Sequence, residues 1–158
     1  MIGTDHIIRV SEYIKECTLE AAYQVASNLR SDDLREVIEG YGVEPTIHIP
    51  LSSLRGFCVS FTVPDGRIAG LAGVEEHGRI WMLCTDAIHD FPITFAREAK
   101  RFIESRSEEV LWNYADKRNT THLKLLRYLG FELLDEVPFG PNNLPFIPFR
   151  RWRLIRSQ

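Results

Sequence analysis

Apolar and polar positions alternate along Glu12-Tyr-Ile-Lys-Glu-Cys17, and that period-two rhythm predicts a strand. The rhythm changes at Thr18. This residue can N-cap a helix reaching Asn28, with Ala22, Val25, Ala26 and Leu29 on one face. Ser31 can cap a second short helix, ended by Gly40 and Gly42. Residues 45–50 read as a loop and residues 51–55 as a helical turn. Two strand signals follow, residues 57–63 and 67–74, joined by Pro64-Asp65-Gly66. Proline presets one backbone angle and glycine accepts a positive one, so this connection predicts a hairpin. Gly70 and Gly73 interrupt the second run and can mark a bulge or a close approach. His77-Gly78 reads as the next turn and residues 79–85 as the next strand, giving three antiparallel strands in succession.

Pro92 suits a first helical position. From there Phe95, Ala99, Phe102 and Ile103 form an apolar stripe, and the helix is expected to reach Arg106. Residues 110–115 predict a strand. Asn119 and Thr120 can cap a helix whose stripe is His122, Leu125, Leu126 and Leu129, and Gly130 stops it. Residues 131–137 predict a strand, 139–145 a long turn, and 146–154 a final strand. The order β-α-α-β-β-β-α-β-α-β-β is mixed α/β around a central mixed sheet. Helix crossovers follow the fourth and fifth strands, so parallel pairing is expected there.

Composition narrows the function classes. Of 158 residues, 44% are hydrophobic and 26% charged, which supports one packed domain over residues 1–158 and excludes a disordered chain. Nineteen Lys and Arg against 22 Asp and Glu give a net charge of −3, which excludes a globally basic nucleic-acid binder but leaves a local patch open. No apolar run approaches roughly 18 residues, so no membrane span is expected. Residues 1–10 lack a basic stretch followed by an apolar block, so no signal peptide is expected. Cys17, Cys58 and Cys84 include no CxxC pair, which argues against a zinc site and fits reduced thiols in cytosol. The early segment is acidic, with Glu20, Asp32, Asp33, Glu36 and Glu39 against Arg30 and Arg35, and it reads as a solvated helix face.

Asn119-Thr-Thr-His-Leu-Lys-Leu-Leu-Arg-Tyr-Leu-Gly130-Phe131 follows a predicted strand and opens a predicted helix. It resembles the last helix–strand unit of the GNAT N-acetyltransferases, N-x-x-A-x-x-x-Y-x-x-x-G-F. The predicted strand order resembles that fold over essentially the whole chain. A narrower resemblance, carried by residues 111–130, 81–86 and 138–146, is to GNAT-like proteins of tailed phages, including the internal virion protein A type of short-tailed phages. It implies either an acetyl-CoA-dependent N-acyltransferase acting on a small amine or protein amine, or a virion-associated or assembly protein with a degenerate cofactor site. Its places of residence would be the host cytoplasm during synthesis and the virion interior.

The family holds the coenzyme pyrophosphate with Q/R-x-x-G-x-G/A after the fourth strand, where bare backbone N–H groups approach the phosphates. Residues 85–95 here contain no glycine, Arg or Gln, and Asp86 and Asp90 add negative charge. No bound cofactor is therefore the expectation, with acetyl-CoA the cofactor if the enzyme reading holds. Leu126 stands where the family often has a Tyr proton donor, and Tyr128 faces elsewhere. His122 can be a general base or a structural His. Cys84 can be a nucleophile or a small core residue. Glu75 and Glu76 can be bases near a cleft or an exposed turn pair. If coenzyme binds, Leu83, Thr85, Asp86 and Asn119 are the candidate contacts, since ligands favour strand ends in open α/β sheets. No metal is expected. Arg150, Arg151, Trp152 and Arg153, with Arg156, mix cations and aromatics. They can meet an acidic partner, a second copy or nucleic acid, or simply protect an edge strand. The basic residues Lys117, Arg118, Lys124 and Arg127 surround the Asn119 helix.

Overall fold

Thr18 Oγ1 accepts the Ala21 backbone N–H at 3.0 Å and so starts α1 (Leu19–Ser27) shortly after β1 (Ile14–Glu16). The computed structural model describes residues 11–153; residues 1–10, where no signal peptide is expected, and residues 154–158, with Leu154 and Arg156, lie outside the described residues. Helix α2 (Ser31–Arg35) runs without a break into a π-helical turn (Glu36–Tyr41), ended by Gly42 at φ 72°. Ser31 is the first helical residue of α2, not its cap. The loop expected over residues 45–50 is helical instead. Pro45 takes the first position of α3 (Pro45–Ser53), and the Glu44 carboxylate accepts the Thr46 N–H at 3.3 Å. Burial of Ile49 against α1 outweighs the turn propensity of two prolines.

Strands β2 (Phe57–Thr62), β3 (Ile68–Glu75) and β4 (Arg79–Cys84) form the expected antiparallel run. The register steps from Phe61↔Gly70 to Thr62↔Ile68, so the bulge falls beside Gly70. Gly73 marks a close approach: a Cβ there would lie 2.3 Å from Cε2 of Trp81, which crosses it from β4. Then come α4 (Ala87–Asp90), α5 (Pro92–Ser105), β5 (Val110–Asp116), α6 (Thr120–Tyr128), β6 (Glu132–Leu133), β7 (Val137–Phe139) and β8 (Leu144–Trp152).

The sheet order is β1-β2-β3-β4-β5-β8-β6, with β7 also on β8. The strand expected over residues 131–137 is only two residues long, and the turn expected over 139–145 tightens into a β7–β8 hairpin with Phe139 opposite Leu144. A two-residue β6 offers few ladder bonds, whereas β8 pairs with β5 from Asp116↔Phe146 to Val110↔Trp152. The parallel pairing expected after the fourth strand holds between β4 and β5, but the parallel neighbour expected after β5 is displaced by antiparallel β8. One sheet face packs Val59, Phe61, Phe95, Phe102, Ile103 and Leu126 under α5 and α6. The other packs Ala22, Val25, Ala26, Ile49 and Leu71 under α1 and α3. Burying both faces fixes the register, because a one-residue slip would exchange them.

Candidate active site

Strands β4 and β5 are parallel and register at a single pair, Arg79↔Trp112, before they part. Thr85 donates its backbone N–H to Ala69 on β3, so by alternation Ile80, Met82 and Cys84 turn theirs toward β5. Lys117 donates to Pro145 on β8, so Tyr114 and Asp116 face β4. A split of this kind strands backbone donors and acceptors inside the protein, and each needs a partner.

The chain supplies several partners from its own acidic segment. The Asn113 amide spans the split, donating to Ile80 O at 2.7 Å and accepting from Tyr114 N at 2.8 Å. Asp33 Oδ2 accepts the Cys84 N–H at 2.7 Å, and the Arg30 N–H reaches Cys84 O at 2.9 Å. Asp33 Oδ1 also takes Arg30 Nη1 at 2.7 Å and Asn119 Nδ2 at 2.8 Å. Glu36 Oε1 accepts from Asp116 N at 3.3 Å and Asn119 Nδ2 at 3.2 Å. Within the acidic segment Asp33 and Glu36 are thus not part of a solvated face, whereas Glu20 and Glu39 are exposed. Asp33 and Glu36 are 4% and 6% exposed, because strand ends without neighbours need buried acceptors. Burial, with like charge from Asp33 and then Asp116, pushes the Glu36 carboxyl up to about 8. At neutral pH Glu36 keeps its proton, on the Oε2 left free by those two donors.

A cavity of about 300 Å³ occupies the split and is lined from both sheet faces. Tyr41, His48, Ser52 and Glu75 line it on the α1–α3 side, with Trp81 of β4. Met82, His122, Leu125 and Leu126 line it on the other side, and Glu36 sits in its wall. Burial lowers the His122 pKa, Asp33 opposing and Arg30 adding, so the imidazole is neutral. His48 is likewise lowered by burial and then by Arg55. Burial raises the Tyr41 phenol, whose hydroxyl donates to Tyr114 O at 3.5 Å. The Trp81 indole N–H is buried with no partner among the described residues.

The sequence candidates separate. Glu75, Leu83 and His122 line the cavity, and Glu76 is exposed in the turn before β4. Cys84 is buried in the core outside the lining, and burial raises its thiol well above the ordinary range, which disfavours the reactive thiolate. Thr85 Oγ1 donates to Ile68 O at 3.0 Å, and Asp86 points to solvent. Asn119 caps α6 by accepting the His122 N–H at 3.4 Å, but its amide is fully used in the Arg30–Asp33–Glu36 network. Leu126 is buried, and Tyr128 lies half out in solvent under Lys100. Arg150 pairs with Glu132 at 3.0 Å, Arg151 donates to Leu129 O and Arg153 to Ser107 O, while Trp152 is 55% exposed. Arg150 lies between β5 and β6, whereas Arg151 and Trp152 pair with β5 alone and Arg153 follows the end of β8. Sequence reading missed Glu36, Tyr41 and His48. The one available signal was Glu36 three residues after Asp33, on the face that also carries Val37 and Gly40.

The cavity suits the small thioester end of an acyl-coenzyme A: it is mainly apolar, with a few convergent polar groups. The loop that follows differs from the family's glycine-rich diphosphate loop. Pro92 opens α5 without a backbone donor, and Asp86 and Asp90 flank the loop. Asp90 is paired with Arg67 at 2.7 Å, and Arg30 Nε is directed to His89 Nε2 at 3.4 Å. Arg67 and Arg30 are thus both engaged by the loop's own side chains.

No family model matches the sequence, and no curated protein matches it either. Solved structures do match. An acetyltransferase of the GNAT family from Streptococcus pneumoniae aligns over 89% of this chain and 98% of its own, with TM-score 0.59 and 14% identity. A Salmonella typhimurium protein solved with its cofactor acetyl-CoA aligns over 94% and 98%, with TM-score 0.63 and 13% identity. Spermidine N-acetyltransferase from Vibrio cholerae, in complex with CoA and spermine, aligns over 89% and 94%, with TM-score 0.62 and 9% identity. At such identities the likeness concerns the backbone alone. Together with the strand order and the parted β4–β5 pair, it gives the chain the fold of the GNAT acetyltransferases.

Proposed function

We propose that the protein is an acyltransferase that takes the thioester end of an acyl-coenzyme A into the β4–β5 split and an amine acceptor at the mouth beside Tyr41, His48 and Glu75. The observation that carries this reading is the cavity itself. It reaches both sheet faces and sets neutral His122 on one and His48 and Glu75 on the other. The thioester supplies an activated carbonyl when bound. The chain supplies the rest. An amine is a nucleophile only without its extra proton, and a neutral imidazole or the Glu75 carboxylate can take it. Met82, Leu125 and Leu126 exclude water. Glu36 holds a proton in the wall of the same cavity, which Leu126, at the position where the resembling family has Tyr, also lines. The neighbouring folds solved with coenzyme support this reading.

Thiol release from acetyl-CoA in the presence of a panel of small amines and N-terminal peptides tests it. His122→Ala or Glu75→Gln is expected to slow release by about 100-fold. Absence of release above background, together with no calorimetric heat at millimolar acetyl-CoA, would defeat the proposal.

The capped strand ends and the acidic loop, with Asp86 and Asp90 beside α5, favour a second reading. In it the scaffold no longer holds coenzyme and serves assembly, as the resemblance to phage internal virion proteins implies. Its partners would be other virion proteins or a second copy, met through Arg150, Arg151, Trp152 and Arg153. Sedimentation showing partner- or self-assembly that is lost on replacing those arginines with Ser, in a protein inert toward acetyl-CoA, would select it.

A further inference from the structure

The register of β1 on β2 runs Ile14↔Phe61, Lys15↔Ser60, Glu16↔Val59, so one further step sets Cys17 opposite Cys58. Thr62 donates its backbone N–H to Tyr13 O at 2.9 Å. That bond places residues 13, 15 and 17 at hydrogen-bonded pairs, where facing Cα atoms lie about 5.5 Å apart. The spacing falls inside the range a disulfide spans. Both side chains point to the α1–α3 face. Cys17 packs beside Ala22, Val25 and Ile49, and Cys58 alternates with Val59, which belongs to the opposite face. Cys17 Sγ donates to Thr18 O at 3.7 Å and Cys58 Sγ to Val59 O at 3.8 Å, and each thiol shifts the other's pKa, Cys17 down, with Ser53 of α3 adding, and Cys58 up. Both are partly accessible, whereas Cys84 is buried.

We propose that Cys17 and Cys58 are a modification site: a dithiol that small-molecule disulfides such as glutathione disulfide convert to a reversible cross-strand disulfide. The step balances. The Cys17 thiolate attacks one sulfur of glutathione disulfide, forming a mixed disulfide and releasing one glutathione thiolate. Cys58 gives up its proton and attacks the Cys17 sulfur, and the second glutathione thiolate leaves. Two protein thiols are oxidised and one glutathione disulfide is reduced to two thiols. Cys17 is the attacking group, because the contacts from Cys58 and Ser53 favour its thiolate while Cys58 is raised. The bond would pin the start of α1 to β2. It would also reach the cavity wall, because Cys58 stands opposite Gly73 and Gly73 opposite Trp81. Trp81 lies directly across the bare Gly73 backbone.

The full chain is incubated with glutathione disulfide, unfolded in denaturant, alkylated with iodoacetamide and weighed intact. The expected result is one alkylated cysteine of three, no retained glutathione, and full reversal by dithiothreitol. Cys58→Ser is expected to stop at the mixed disulfide and to retain one glutathione on Cys17. Three alkylated cysteines in the wild type, glutathione retained by the wild type, or a disulfide-linked dimer on a non-reducing gel would each overturn the proposal.

Discussion

Asp33 Oδ2 accepts the backbone N–H of Cys84 at 2.7 Å across 51 positions of sequence. That bond, with the Arg30 N–H on Cys84 O, fastens the end of β4 to α2 at the place where β5 has already turned away. A side chain does here what a neighbouring strand does elsewhere in the sheet. It also brings a carboxylate indoors, so the arrangement depends on Arg30, whose side chain is 5% exposed.

Arg30→Ala is expected to destabilise the fold by about 3–5 kcal/mol, the usual cost of removing one partner of a buried pair and leaving the other charge alone. Urea denaturation checks this, with a fall in midpoint at unchanged slope. A loss below about 1 kcal/mol would mean that Asn119 and the Cys84 N–H satisfy Asp33 without the guanidinium.

Glu36 makes stability depend on pH in an unusual direction for a carboxylate. Folded, it holds its proton up to about 8; in the unfolded chain it releases near the ordinary 4.5. Between those values the native state binds the extra proton, so raising the pH lowers stability, by at most about 1.4 kcal/mol per pH unit. The contribution is complete below the lower value and gone above the higher one. Glu36→Gln is expected to remove this slope, and urea midpoints for both proteins between about pH 5 and pH 8 measure it. Parallel profiles would show that Glu36 is ionised in the native state.

Asn113→Ala is expected to cost about 1–3 kcal/mol, because it leaves the Ile80 carbonyl and the Tyr114 N–H facing the split without partners. Thermal denaturation checks the loss. The same variant tests whether the amide holds the cavity shape: Trp81 emission is expected to shift as water gains access to the wall it lines.

The elements were largely legible in the amino-acid sequence because their signals are local. Thr18 and Asn119 cap the helices they were expected to cap, Pro64-Asp65-Gly66 turns the β2–β3 hairpin, and the Phe95–Phe102 stripe lies in the core. Asn119 shows the limit. Its capping bond follows from four residues of sequence, but its amide bonds to Asp33 and Glu36 join positions more than 80 residues apart. Residues 45–50 show another limit, since two prolines obscured a helix that tertiary burial of Ile49 sustains.

The sequence by itself determined most strands and helices in their order, the apolar stripes of α1 and α5, and a resemblance to one transferase scaffold, because periodicity, caps and turns act over a few residues. The tertiary structure alone decided that β4 and β5 part after one pair, and that an apparently solvated acidic stretch closes the gap. It also decided that Glu36 stays protonated in a cavity that neutral His122 also lines, and that Cys17 faces Cys58. Each of these depends on desolvation and on partners far away in the chain, and no local pattern encodes either.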